Sequence, residues 1–148
     1  MASRAVLTGI LAAVVATAGC GALDAMDFQG EYTLVTVNGA KLPASVPVDG
    51  SMRLVQSGTA VLNYDGSVGT VLTVREADGT SVKLESAGTF EVVPSGKPVG
   101  RLEQAPPLRI DLKWKGQGTT IAYLDGQTLT LDRGGAKYAF RYSSPPKK

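Results

Sequence analysis

Arg109-Ile110-Asp111-Leu112-Lys113-Trp114-Lys115 alternates charged and apolar residues without a break. A period of two puts Ile110, Leu112 and Trp114 on one face and the four charged residues on the other. That is the pattern of an antiparallel strand with one face on a core and one in water. A parallel strand, covered on both sides, would read as an unbroken apolar run. The stretch decides for an antiparallel, all-β protein.

Working outward, the same alternation recurs between turn signals. Downstream lie Thr119 to Leu124, Thr128 to Leu131 and Lys137 to Tyr142, separated by Asp125-Gly126 and Gly134-Gly135. Upstream, Thr89 to Val93 buries Phe90 and Val92, Ser81 to Glu85 buries Val82 and Leu84, and Gly88 between them suggests a bulge or a corner. Val68 to Arg75 runs between the turn dipeptides Asp65-Gly66 and Asp78-Gly79. Ala60 to Tyr64, Met52 to Gln56 and Glu31 to Val37 are the remaining strands. In the first of all, Tyr32, Leu34 and Thr36 share one face, while Val35 and Val37 share the other. Two long connections interrupt the pattern, Asn38 to Gly50 and Gly96 to Pro107.

This reading predicts roughly eight to ten short strands and no helix over residues 28–142. Sequential hairpins make strands adjacent in sequence adjacent in the sheet. Closure removes the exposed edges of so long a sheet. An up-and-down antiparallel barrel is expected, with a β-sandwich as the alternative. Residues 143–148 read as a disordered tail.

The N-terminus has a separate character. Arg4 precedes an apolar run from Ala5 to Ala18 of about 14 residues, short of the roughly 20 that a spanning helix needs. A charged start, a short apolar run and small residues after it describe an export signal helix. It ends in Thr17-Ala18-Gly19-Cys20, which resembles the bacterial lipobox. That resemblance implies cleavage before Cys20, a diacylglyceryl thioether on Cys20, and acylation, including by palmitate, of the new amino terminus. Residues 1–19 are then the lipoprotein signal peptide and residues 20–27 a tether. Several acyl chains anchor far more firmly than one. Position 21 is glycine, not aspartate, so the resemblance points to the outer membrane where the cell has two membranes. Two other readings stay open. Ala16-Thr17-Ala18 is itself a site for ordinary signal peptidase, cutting after Ala18, and the apolar run could remain as an uncleaved anchor.

Composition excludes several kinds of chemistry. The 148-residue chain has no histidine and one cysteine. The usual general base, the Ser-His-Asp and Cys-His arrangements, a zinc-binding cysteine cluster and an internal disulfide are all removed at once. A formal charge of +2 with interspersed signs offers no basic field for nucleic acid. Asp65, Asp78 and Asp125 each precede glycine, as turn residues do, and Asp111, Glu85 and Glu91 read as solvated strand faces. No phosphate-cradling loop or calcium loop is present. No catalytic residue, metal site or cofactor is assigned, and a non-enzymatic protein is expected.

At Phe28-Gln29-Gly30-Glu31-Tyr32-Thr33-Leu34, through the Gly-rich hairpins, to Gly126-Gln127-Thr128-Leu129-Thr130-Leu131 and Tyr138-Ala139-Phe140-Arg141-Tyr142, the chain resembles small bacterial lipocalin-like (calycin) lipoproteins. Gly30-Glu31-Tyr32 stands where lipocalins carry Gly-x-Trp. The resemblance implies that Arg141 packs over Tyr32. It also places Asn38 to Gly50 where lipocalins have a lid loop.

The aromatic residues crowd the last third of the chain. Leu42, Val46, Trp114, Tyr123, Tyr138 and Phe140 are the candidates for lining a cavity that takes a small hydrophobic ligand. The same residues would equally serve as the core of a filled barrel, and the lid loop as a plug. The expected partners are a membrane, through acylated Cys20, and that ligand. The expected product is a monomeric envelope lipoprotein, either a ligand binder or a structural or protein-interaction module.

Overall fold

The computed structural model describes residues 28–48, 50–94 and 107–147. Residues 1–27, where the sequence leads one to expect a signal segment and a tether with Cys20, and most of the second long connection lie outside the described residues. All regular structure among the described residues is β-strand. In chain order these are β1 (Gly30–Val37), β2 (Ala40–Lys41), β3 (Ala44–Val48), β4 (Ser51–Leu62), β5 (Ser67–Arg75), β6 (Ser81–Val93), β7 (Leu108–Trp114), β8 (Gly118–Asp125), β9 (Thr128–Arg133) and β10 (Ala136–Ser144).

The strands from β4 to β10 form a continuous antiparallel meander, and β10 then pairs with β1. The second edge of β1 bonds to β4, from Gly30 opposite Leu62 to Thr33 opposite Thr59. Eight strands thus close into an up-and-down barrel, as the alternation predicted. The inner face holds Tyr32, Leu34, Leu62, Ile110, Leu112, Leu129 and Phe140, all but inaccessible to water. Each such side chain contributes about 1.5–3 kcal/mol on burial. The outer face carries Lys113, Glu91 and Lys137. An apolar interior with a polar exterior is the reverse of a membrane-spanning barrel.

Several boundaries differ from the sequence reading, each for a packing reason. Met52 to Gln56 and Ala60 to Leu62 are parts of one strand, β4, joined through a register shift between Val55 and Ser57, while Asn63 and Tyr64 fall in the turn that follows. Ser81 to Glu85 and Thr89 to Val93 are likewise one strand, β6, and Gly88 between them is no bulge: both its ladders run in continuous register. In β1 a shift between Leu34 and Thr36 inverts the alternation. Val37 therefore joins Tyr32 and Leu34 in the core, while Val35 keeps its outward position. At the C-terminus Ser143 and Ser144 belong to β10 and Pro146 is buried, so the expected loose tail begins later than position 143.

Tyr32 has a different partner from the one expected. Arg141 is exposed and lies opposite Thr33, whereas Tyr142 lies opposite Tyr32. The two tyrosine rings meet edge to face at 5.4 Å, in the favourable T-shaped arrangement. The period-two pattern explains this, since Arg141 falls on the opposite face from Tyr138, Phe140 and Tyr142.

Gly88 sits where β6 gains β7 as a second neighbour. A Cβ there would lie 2.1 Å from the Lys113 carbonyl oxygen, which is backbone and cannot swing aside. Gly88→Ala is expected to cost about 3 kcal/mol or more, whereas Gly69→Ala, whose Cβ would meet nothing nearer than 3.9 Å, should be close to neutral. Urea denaturation of the two variants checks this; equal midpoints would contradict it.

Candidate functional site

The two ends of the barrel differ. At the end where β1 and β4 pair directly, the interior is filled. Phe28 packs edge to face on Phe90 at 5.8 Å and its carbonyl accepts a 2.5 Å hydrogen bond from the Tyr32 hydroxyl. At the other end β1 and β4 separate, and the Asn38–Gly50 segment enters between them. Asn38 begins it with a left-handed φ of 51° and accepts the Lys137 N–H on its side chain at 2.8 Å. β2 then pairs with β1, the chain turns at a cis Leu42–Pro43 peptide, and β3 pairs with β4 from Ala44 opposite Val55 to Val48 opposite Ser51. Ala44 and Val46 are buried. The segment is part of the barrel wall rather than a loop across the mouth.

The same end is wider on its opposite side. β5 and β6 stay paired out to Arg75 and Ser81, but β7 leaves β6 at Gly88. Lys115 makes one last bond to the Ala87 carbonyl before the chain turns into β8. The β5–β6 hairpin therefore overhangs the rest of the barrel, and its inner face is incompletely covered. Leu84 is half-buried and Val82 is 39% exposed, where the sequence reading had both buried.

A cavity of about 600 Å³ occupies the space under this overhang. Leu72 and Leu84 form one apolar wall, and Pro47 and Val48 of β3 form another. Thr70 and Tyr138 also line it, and Gln117, Arg133 and Gly134 of the opposing turns face the hairpin. Lys83 and Glu85 border it from the β6 edge.

Arg133 is the notable polar group. Its guanidinium stacks over the Trp114 ring at 4.9 Å and donates to the Gln117 side-chain oxygen. Trp114 is held in turn by a 2.9 Å hydrogen bond from its indole N–H to the Thr120 hydroxyl. The close ion pairs among the described residues are Arg53–Glu76, Arg109–Asp111 and Lys113–Glu91, so Arg133 has no carboxylate partner there. A half-buried cation on an aromatic face, beside a tyrosine hydroxyl, can receive the polar end of a ligand.

The sequence candidates separate into groups. Tyr138 lines the cavity. Val46, Trp114 and Phe140 are buried in the core, and Leu42 packs against it half-buried. Tyr123 does not point inward: it stands on the outer face of β8, 47% exposed. Its neighbours Ala122 and Leu124 take the inner positions, as the period of two requires. Leu72, Leu84 and Arg133 line the cavity in addition to the residues expected from the sequence. Alternation places the two leucines on the inner face, but nothing in the sequence reports that β7 stops short of them.

The acids behave as turn and surface residues. Asp65 accepts from the Ser67 N–H at 2.9 Å and hydroxyl at 2.6 Å, and Asp78 accepts from Thr80 at the same two distances. These bonds hold both carboxyls below the usual carboxylate range. Among the described residues no three acidic or cysteine side chains converge as a metal site would need.

Comparisons with protein-family models, with curated proteins and with solved structures find no match to this chain. The fold and the cavity define it, among the described residues, as a closed eight-stranded antiparallel β-barrel that is widened at one end.

Burial, with the nearby Tyr142, pushes the Tyr32 hydroxyl up to about 12, and burial raises Tyr138 as well, against the pull of Arg133. A folded value above the unfolded one stabilises fully below about pH 10 and is lost as pH rises toward 12. The urea midpoint should therefore fall over that window by at most about 3 kcal/mol equivalent for Tyr32, and Tyr32→Phe should flatten the fall. A Tyr32→Phe profile parallel to wild type would contradict the assignment.

Proposed function

We propose that this chain is a lipid-anchored, non-enzymatic lipoprotein of the bacterial cell envelope whose lipocalin-like barrel binds a small hydrophobic ligand. The observation that carries the reading is the cavity of about 600 Å³, which falls within the ordinary range for small-molecule sites. It opens at the end where the Asn38–Gly50 segment lies. Its walls suit a ligand with an apolar body against Leu72, Leu84 and Val48 and one polar end toward Arg133 and Tyr138. The lipobox-like Thr17-Ala18-Gly19-Cys20 supports acylation of Cys20, and Gly21 supports the outer membrane as its destination in a two-membrane cell.

One observation favours the second reading, a structural or protein-interaction lipoprotein. The directly closed half of the barrel is filled by Phe28, Tyr32, Leu62 and Phe140. Among the described residues, the space for a ligand lies at the overhung end.

Two experiments separate these possibilities. Native mass spectrometry of the full chain purified from envelopes should show a bound lipid, or uptake of an added dansyl-labelled fatty acyl probe. Val48→Glu places a charge against the apolar wall at the end of β3 and should weaken probe binding by roughly ten-fold or more; a wild type that takes up no apolar probe, or a variant that binds it equally well, removes the ligand reading. Independently, a metabolic palmitate analogue should label the wild type and leave Cys20→Ser unlabelled. Label on the Cys20→Ser chain would remove the lipoprotein reading.

A further inference from the structure

We propose that the free edge of β6 is a docking surface for a second copy of this chain, joined as an antiparallel strand pair centred on Leu84. From Ser81 to Ser86, β6 bonds to β5 on one side only, and among the described residues no strand pairs with its other side. Six residues of unpaired edge run for about 20 Å, enough to template a partner strand.

Free edges are normally blunted by proline, by a bulge or by charged side chains, lysine above all. The β3 edge at the same end of the barrel carries Pro47. The Ser81–Ser86 edge has no proline and no glycine, and its register with β5 is unbroken. It has charges, but they are Lys83 and Glu85, opposite in sign and spaced two apart.

That spacing specifies the partner. In a two-fold antiparallel pair, side chains facing each other must lie on the same sheet face, so the axis passes through a residue. Centring on Leu84 sets Lys83 of each copy opposite Glu85 of the other, and Val82 opposite Ser86. Centring on Lys83 would instead oppose two lysines. The Leu84 register makes the outer face complementary in charge. On the inner face it covers Val82, which is 39% exposed in the single chain. The added strand occupies the row that β7 vacates beyond Gly88, and so walls the side of the cavity that the overhang leaves open.

Charge reversal tests the register directly. Lys83→Glu and Glu85→Lys each create two like-charge pairs across the axis, while the double swap Lys83→Glu with Glu85→Lys restores complementarity. The full chain in detergent, followed by sedimentation velocity, should dimerise as wild type. It should do so about ten-fold or more weakly in each single variant and regain dimer in the double variant. Both positions, Lys83 and Glu85, are exposed on a strand paired to β5, and matching thermal melts will confirm that each variant folds. A wild type that stays monomeric at the highest concentration reached overturns the proposal. So do single variants that dimerise as strongly as wild type.

Discussion

Four cross-strand pairs, from Gly30 opposite Leu62 to Thr33 opposite Thr59, turn a ribbon of antiparallel strands into a barrel. Everything inside depends on that seam. It gives β1 two neighbours for the first half of its length, so Tyr32 can sit beneath both β4 and β10 at 1% exposure. The seam also removes two edges that would otherwise bind other chains. Surface ion pairs such as Lys113–Glu91 add little by comparison, because both ends stay in water.

The seam stops halfway along β1, and the difference between the two ends follows from that. Beyond Leu34 the strand shifts register, and the Asn38–Gly50 segment is wedged between β1 and β4 as β2 and β3. Across the barrel, β7 leaves β6 at Gly88 while β5 and β6 continue together. One end is thus tied shut around Phe28, Tyr32 and Phe90. The other is widened by inserted strands on one side and left unwalled on the other. The cavity is the space that remains when neighbouring strands differ in length, and its apolar surface is core that the shorter strands do not reach to cover.

Much of this was legible in the chain. The alternation around Leu112 identified the antiparallel class, Asp65-Gly66 and Asp78-Gly79 marked their turns, and Phe140 and Trp114 were recognisable as inward-facing aromatics. The candidate site was legible only in part. Tyr138 was found because alternation placed it inside. Tyr123 belongs to the aromatic-rich last third of the chain but stands outside, because the same alternation puts Ala122 and Leu124 on the inner face. Arg133 was missed because its importance comes from lying beside Trp114, nineteen positions earlier in the chain.

By itself, then, the sequence determined the local terms: strand or turn, which face is apolar, and which chemistries an absence of histidine and a single cysteine rule out. Those properties depend on residues a few positions apart, through backbone geometry and side-chain alternation. The tertiary structure alone decided which strand closes on which, where Gly88 must admit the Lys113 carbonyl, and how far β6 outruns β7. It also decided that Leu72, Leu84 and Arg133 face one space. Those depend on register and relative strand length, which balance the packing of the whole inner face against hydrogen bonds between distant segments. Alternation states which side a residue faces; only closure of the barrel states what it faces there.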